Sequence, residues 1–412
     1  VDPGTPVAGT PWERTPVVSS GVVTGIAKFT DGSGRTLTYS VPSTSSGGAA
    51  VSINAATGDF TYTPTQSQRQ SAGLSSTDTF TVSVSNGIRT TTQVITVGVD
   101  PGTPVAGSPW VRTANAGSGA VTGIAKFSDG SGRTLTYSVP STSTGGGAVS
   151  INASTGDFTY TPTVTQRRNA GANTTDSFTV SVGNGVRTTT QVITVPVDPG
   201  TPVAGTLTVG SPNLSTGVVA GTSRGTDSVG GSVSYSAPST SAGGGAVSIN
   251  SSTGAFTYTP TQSQRQNAGL STTDTFAVTI SNGARTVTQN VTVGVDPGTP
   301  TANTPWVRSP VVASGVVTGI AKGTDSVGGA LTFSAPSTSS GGAAVSINAA
   351  TGDFTYTPTQ AQRRSAGLST TDSFVVTIGN GARTTTQTIT VPVDPGTPVA
   401  GSPWVRTANA GS

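Results

Sequence analysis

The sequence predicts an all-β chain, a tandem array of seven-stranded Greek-key β-sandwiches, and three observations carry that expectation. The segment VDPGTP begins at Val1, Val99, Val197, Val295 and Val393, a step of 98 residues. Within each step, strand-length apolar alternations are separated by Gly, Pro, Asn and Asp turn signals. Only one short stretch per step reads as helical, so the alternations must pair with one another.

The repeats set the domains. They run 1–98, 99–196, 197–294 and 295–392, and residues 393–412 open a fifth with a linker and first strand identical to 99–118. Each unit is long enough to bury a small core of its own. The third repeat diverges in its first strand, where TLTVGSPN replaces the Pro-Trp segment. The chain is expected to be part of a longer array, with no leader segment and no initiator Met.

In the first repeat, VDPGTPVAG reads as a linker held extended by its two prolines. Pro11 to Val18 reads as an edge strand that tolerates Pro16. Val22–Phe29 follows, then the loop Asp31–Gly34, then Thr36–Val41 with Leu37, Tyr39 and Val41 on one face. A Ser/Gly-rich loop over 43–48 leads to a short strand at Val51 and Ile53 and a turn at 56–59. Phe60–Thr63 is the next strand, and Thr65–Gly73 is the helical turn with Thr65 as N-cap. Phe80, Val82 and Val84 alternate along the sixth strand, and Val94, Ile95 and Val97 mark the seventh. Asn86-Gly87 between them predicts a type I′ hairpin, which needs positive φ at both central residues.

The runs TGDFTYTP and TDTFTVSVSNG, followed by a Thr-rich last strand and a Pro-containing linker, recur at 57–87, 155–185, 253–283 and 351–381. They resemble VCBS-type repeats of bacterial surface adhesins, a family of cadherin-like or immunoglobulin-like sandwiches. The spacer TPTQSQRQSAG is similar to actinobacterial members. The resemblance implies a stalk that spaces other domains, and many related repeats bind calcium.

Composition narrows the function. Only 9% of residues are charged, and the net charge of +3 comes from 17 Arg and three Lys against 16 Asp and one Glu. No basic cluster with interleaved aromatics occurs, so nucleic-acid binding is not expected. Cysteine is absent, which excludes disulfides. No apolar run is long enough to span a membrane as a helix. With no His and Glu13 as the single Glu, no catalytic set assembles, and neither an enzyme nor a cofactor is expected.

The candidate sites each carry a plainer alternative. Asp31, Asp129, Asp227 and Asp325 are the calcium candidates, but each loop offers one carboxylate, joined by one from the linker (Asp2, Asp100, Asp198, Asp296). A calcium ion wants six to eight oxygens, so an Asp-capped turn is the favoured reading. Asp59 with Asp78 could act as a carboxylate pair, yet Ala255 replaces the first in repeat three, so turn and strand-end roles are the favoured reading. An internal isopeptide bond would use Lys28, Lys126 or Lys322 with a residue such as Asn54 or Asn86, and repeat three has Arg224 instead of the lysine. Trp12, Trp110, Trp306 and Trp404 follow a proline near each linker, with Thr208 in their place in repeat three. These are the interface candidates, since a ring that repeat three does without is not required by the fold; the plainer and favoured alternative is packing against the sandwich end or the adjacent domain.

The expected function is an extracellular structural stalk or fibre on a cell surface, a spacer gaining roughly 30–40 Å per repeat. The rivals are a polymerising filament or sheath subunit and a carbohydrate- or matrix-binding array using the Pro-Trp segments. The partners would be neighbouring repeats, other copies of the chain, or glycans. Residues 393–412 cannot order alone. They pack back on repeat four or, as the favoured expectation, lie against a neighbouring chain or a continuing array, as in a filament with donated strands, and the surroundings of Trp404 and Val405 decide between the two.

Overall fold

A computed structural model describes residues 3–398 and 400–405. The chain divides into two compact units, Val1–Thr201 with Ser228–Gly231, and Pro202–Asp227 with Ser232–Ser412.

In the first unit, repeat one is built from β1 (Val7–Ala8), β2 (Trp12–Glu13), β3 (Val23–Ile26), β4 (Phe29–Thr30), β5 (Thr38–Ser40), β6 (Ala50–Ile53), β7 (Asp59–Thr63), α1 (Gln66–Ser71), β8 (Thr77–Ser85) and β9 (Thr90–Gly98). One sheet has the order β2-β3-β7-β6, the other β5-β8-β9, and β1 pairs with β4. Counting β1/β2 as a split first strand and β3/β4 as an interrupted second, this is the four-plus-three Greek-key order of an immunoglobulin-like sandwich. The split strand changes sides. Its first half lies beside β9, where Thr91 Oγ1 donates to Pro6 O (2.7 Å) and Gln93 Nε2 to Gly9 O (2.9 Å). Its second half pairs with β3, Trp12 opposite Ile26.

The alternation read from the sequence places the core. Phe60 and Tyr62 of one sheet face Phe80, Val82, Val84, Ile95 and Val97 of the other. The Phe60 and Phe80 rings meet edge to face at 5.2 Å. Gly25 stands opposite Phe60 in the register, and a Cβ there would collide with that ring and with the Trp12 carbonyl. Repeat two has the same core, from Val121 to Val197. In the second unit the first strand is continuous, Pro202–Val209 in repeat three and Pro300–Val307 in repeat four. A register shift replaces the break seen in repeat one.

Several expectations need correction. The hairpin after β8 is a four-residue loop in which only Gly87 has positive φ, at 88°. Asn86 serves as a cap instead, its Oδ1 accepting from the Ile88 (3.1 Å) and Arg89 (2.9 Å) amides. Val94 is 61% exposed, because Ile95 and Val97 take the inward positions. The first edge strand ends at Glu13, and a turn closes by Gly21 N donating to Val17 O (2.6 Å). The VDPGTP segment is no free linker. Val99 packs in the core of repeat one, as Val197, Val295 and Val393 do in the cores before them, while Pro104–Ala106 pairs inside repeat two.

Candidate functional site

The calcium candidates are occupied by donors of their own chain. Asp31 accepts from Ser33 N (2.9 Å), Ser33 Oγ (2.8 Å) and Asn86 Nδ2 (3.0 Å), and these bonds, the Ser33 amide foremost, lower its pKa. Asp129 accepts from Ser131 N (2.8 Å) and Asn184 Nδ2 (2.6 Å). Asp227 accepts from Asn282 (2.9 Å) and Asp325 from Asn380 (3.0 Å). The loop aspartate thus ties the second strand to the hairpin asparagine. Among the described residues no three His, Cys, Asp or Glu cluster as metal ligands. Asp2 lies outside the described residues.

The linker carboxylates join consecutive repeats. Asp100 is buried, with Oδ2 bound to Arg69 (3.3 Å) from α1 of repeat one and Oδ1 to Arg187 (2.8 Å) from the last hairpin of repeat two. The Arg69 guanidinium also donates to the carbonyls of Asp100 (3.1 Å), Ser19 (3.0 Å), Val18 (2.8 Å) and Gly130 (3.1 Å). From the other side Arg133 donates to Arg69 O (3.1 Å) and to Ala72 O, and Gln70 donates to Gly132 O (3.0 Å). The second unit repeats the clamp. Asp296 is held between Arg265 (2.9 Å) of repeat three and Arg383 (2.6 Å) of repeat four. Burial raises its pKa, but Arg383 and Arg265 outweigh that and lower it. The helix arginine meets the linker carboxylate in the same way at Arg167–Asp198 (2.8 Å) and Arg363–Asp394 (3.4 Å). A buried pair of this kind holds geometry at a desolvation cost, and removing one partner is strongly destabilising. The sequence reading missed the arginines. Their recurrence at 69, 167, 265 and 363, and at 89, 187, 285 and 383, was the available signal.

Asp59 and Asp78 do not act as a pair. Asp59 is exposed and bonded by Thr57 Oγ1 (2.5 Å). Asp78 is buried on β8 and receives Ser45 Oγ, Ser46 Oγ (2.9 Å), Gly47 N (2.9 Å), Tyr62 Oη (3.1 Å), Gln68 Nε2 (2.8 Å) and Thr79 N (2.7 Å). Burial pushes its pKa up, but these donors, Ser45 first, bring it down to about 2. Burial of the Tyr62 hydroxyl, with the Asp78 charge beside it, pushes its pKa well up. Asp176 and Asp372 reproduce the hub. Gln68 is supplied by a capping box in which Thr65 accepts from its amide and the Gln68 side chain accepts from the Thr65 amide. An open cleft of about 630 Å³ lies beside the hub of repeat two, lined by Thr144, Gln166 and Asp176 among others. Its one carboxylate is saturated with donors.

Lys28, Lys126 and Lys322 are all exposed, whereas an isopeptide staple needs a buried lysine. Asn54 caps its own turn through Ala56 N (2.9 Å). The tryptophans lie at the surface: Trp12, Trp110 and Trp306 are 46%, 45% and 45% exposed, and Trp404 is 79% exposed. Arg14, Arg112 and Arg308 lie over the first three rings at 5.5, 4.6 and 4.6 Å. Of residues 393–412, the first two are held by repeat four, through Val393 N donating to Thr370 O (2.9 Å) and the Asp394–Arg363 pair. Val405 is as exposed as Trp404, so neither is buried in repeat four. Val399 and residues 406–412 lie outside the described residues.

No protein-family model matches the chain, and no curated protein matches it. Among solved structures it is similar to the protocadherin GammaB4 extracellular domain, at 13% identity and TM-score 0.26 over 94% of this chain and 67% of that one. It is also similar to Drosophila N-cadherin EC1-4, at 13% identity and TM-score 0.25 over 86% and 91% of the two chains. A third is the sidekick-1 immunoglobulin domains 1-5, at 12% and 0.29 over 90% and 77%. The strand order of each repeat, not these likenesses, is what makes the chain a tandem array of immunoglobulin- or cadherin-like sandwiches.

Proposed function

We propose that the chain is an extracellular structural spacer, a non-enzymatic stalk of the VCBS-type adhesin kind, whose junctions are set by arginine–aspartate clamps instead of calcium. The observation that carries this reading is the linker carboxylate shared by arginines of two consecutive repeats, Asp100 between Arg69 and Arg187 and Asp296 between Arg265 and Arg383. A buried guanidinium takes the place that a cation would have between neighbouring sandwiches. Copy number then sets reach without altering any single fold. The sparsely charged, hydroxyl-rich sequence supports a surface-exposed role.

Limited proteolysis and melting of the full chain, with and without EDTA, test the junction. The expectation is an unchanged cleavage pattern and Tm in EDTA, and new cuts near residues 100 and 296 in a D100A/D296A variant. A fall of many degrees in EDTA alone overturns the metal-free junction. Antibody labelling of intact source cells tests the location, and labelling only after permeabilisation refutes it.

A further inference from the structure

The outer face of the four-stranded sheet carries a row of side chains that the fold itself does not need. In repeat one Trp12 stands opposite Ile26, and Ile26 opposite Asp59. Residues directly opposite in antiparallel strands project from the same face. The row recurs as Trp110–Ile124–Asp157 and Trp306–Ile320–Asp353. Two residues on from each tryptophan, an exposed arginine covers the indole. The face therefore has an aromatic and aliphatic centre, a cation on the edge strand, and a carboxylate two strands in, about 10 Å away at ordinary strand spacing. Neither charge is neutralised within the chain: among the described residues these arginines and aspartates form no ion pair.

Repeat three removes the whole set at once. Its row is Thr208–Thr222–Ala255, and Gly210 stands where the others have arginine. Its core keeps Phe256, Tyr258, Phe276 and Ile280. Loss of the ring, the branched chain and both charges together, with the core intact, marks these positions as one surface with one task.

We propose that this face is a self-association surface, by which repeats one, two and four pair with the same face of a second copy of the chain. An isologous contact about a two-fold axis sets each arginine against the partner's aspartate and closes the tryptophan–isoleucine centre between them. The arginine over the indole favours a second copy over a glycan, because it takes the ring face on which a sugar would stack. Its cation is also complementary to a group the same face supplies. The buried aromatic centre is the source of affinity, and the charge pairs fix the orientation. This inference does not depend on the spacer reading.

Sedimentation velocity of the full chain over a wide concentration range tests it. The weight-average mass is expected to climb from 40.4 kDa toward twice that value. The triple change R14D, R112D and R308D abolishes the rise, and adding D59R, D157R and D353R in the same chain restores it. A variant given the repeat-three residues (W12T, R14G, D59A and their equivalents) stays monomeric, and it is safe for folding because repeat three already carries them. The proposal is overturned if the wild type remains at 40.4 kDa at every concentration, if the double swap stays as monomeric as the single swap, or if the repeat-three-like variant still associates. Tryptophan quenching by oligosaccharides in a strictly monomeric wild type overturns it in favour of a glycan site.

Discussion

Replacing the buried hub aspartate with asparagine in every repeat (D78N, D176N, D274N, D372N) probes the strongest polar network of the sandwich. Asp78 and Asp372 are held at about 2, against the ordinary aspartate value of 3.8. Such a depression is worth about 2 kcal/mol of folding stability in each of repeats one and four. The sign follows from the depressed folded-state value. The stabilisation is present above about pH 4, and it is lost as the pH falls from there toward 2. Asparagine keeps the shape, but one of its two positions becomes an N–H₂ that cannot accept, whether it faces the Ser45, Tyr62 and Gln68 donors or those of Ser46, Gly47 and Thr79. Including that mismatch, the cost is about 2–3 kcal/mol per repeat, or about 10–20 °C in Tm for a domain of this size. Circular-dichroism melts at pH 7, 4 and 2 read both effects. Wild type should fall steeply between pH 4 and 2, while the variant starts lower at pH 7 and falls less. A variant with the wild-type Tm at pH 7, or with an undiminished acid drop, would refute the hub as a source of stability. Repeat three grades the effect naturally, since Ala242 stands in the place of Ser46 and Asp274 receives one donor fewer.

Two further outcomes concern the interior of repeat two. Gln191 Oε1 is buried without a hydrogen-bond partner among the described residues, whereas Gln289 in repeat three accepts from Ser223 at 2.6 Å. Changing Ala125, the counterpart of Ser223, to serine should therefore stabilise repeat two by about 1 kcal/mol, and an equal or lower urea midpoint counts against that account. Gly123→Ala should cost about 1–3 kcal/mol by overpacking, because its Cβ meets the Phe158 ring and the Trp110 carbonyl. A neutral result in the same urea titration would show that the strand yields more easily than the packing implies.

The sequence by itself determined what is local. The two-residue alternation placed Phe80, Val82 and Val84 inward, and Thr65 three residues before Gln68 marked the helix start. These features depend on neighbours along the chain, where side-chain direction is set by strand or helix period. Trp12 was legible as a surface residue because one repeat dispenses with it. The misread positions depend on partners far away in sequence. Asn86 gave up the predicted turn geometry to cap its loop and hold Asp31, 55 residues earlier. Asp78 looked like a strand end until Ser45, Tyr62 and Gln68 closed around it. Asp100 looked like a linker residue until Arg69, 31 residues before it, and Arg187 of the next sandwich met on its carboxylate. The Trp–Ile–Asp row existed only once the register had set three strands side by side. Periodicity tells a residue which way to face. Only the crossing of strands and the docking of one sandwich on the next decides which polar groups share a buried space, because a buried charge is stable only where its counter-charge and donors arrive from elsewhere in the fold.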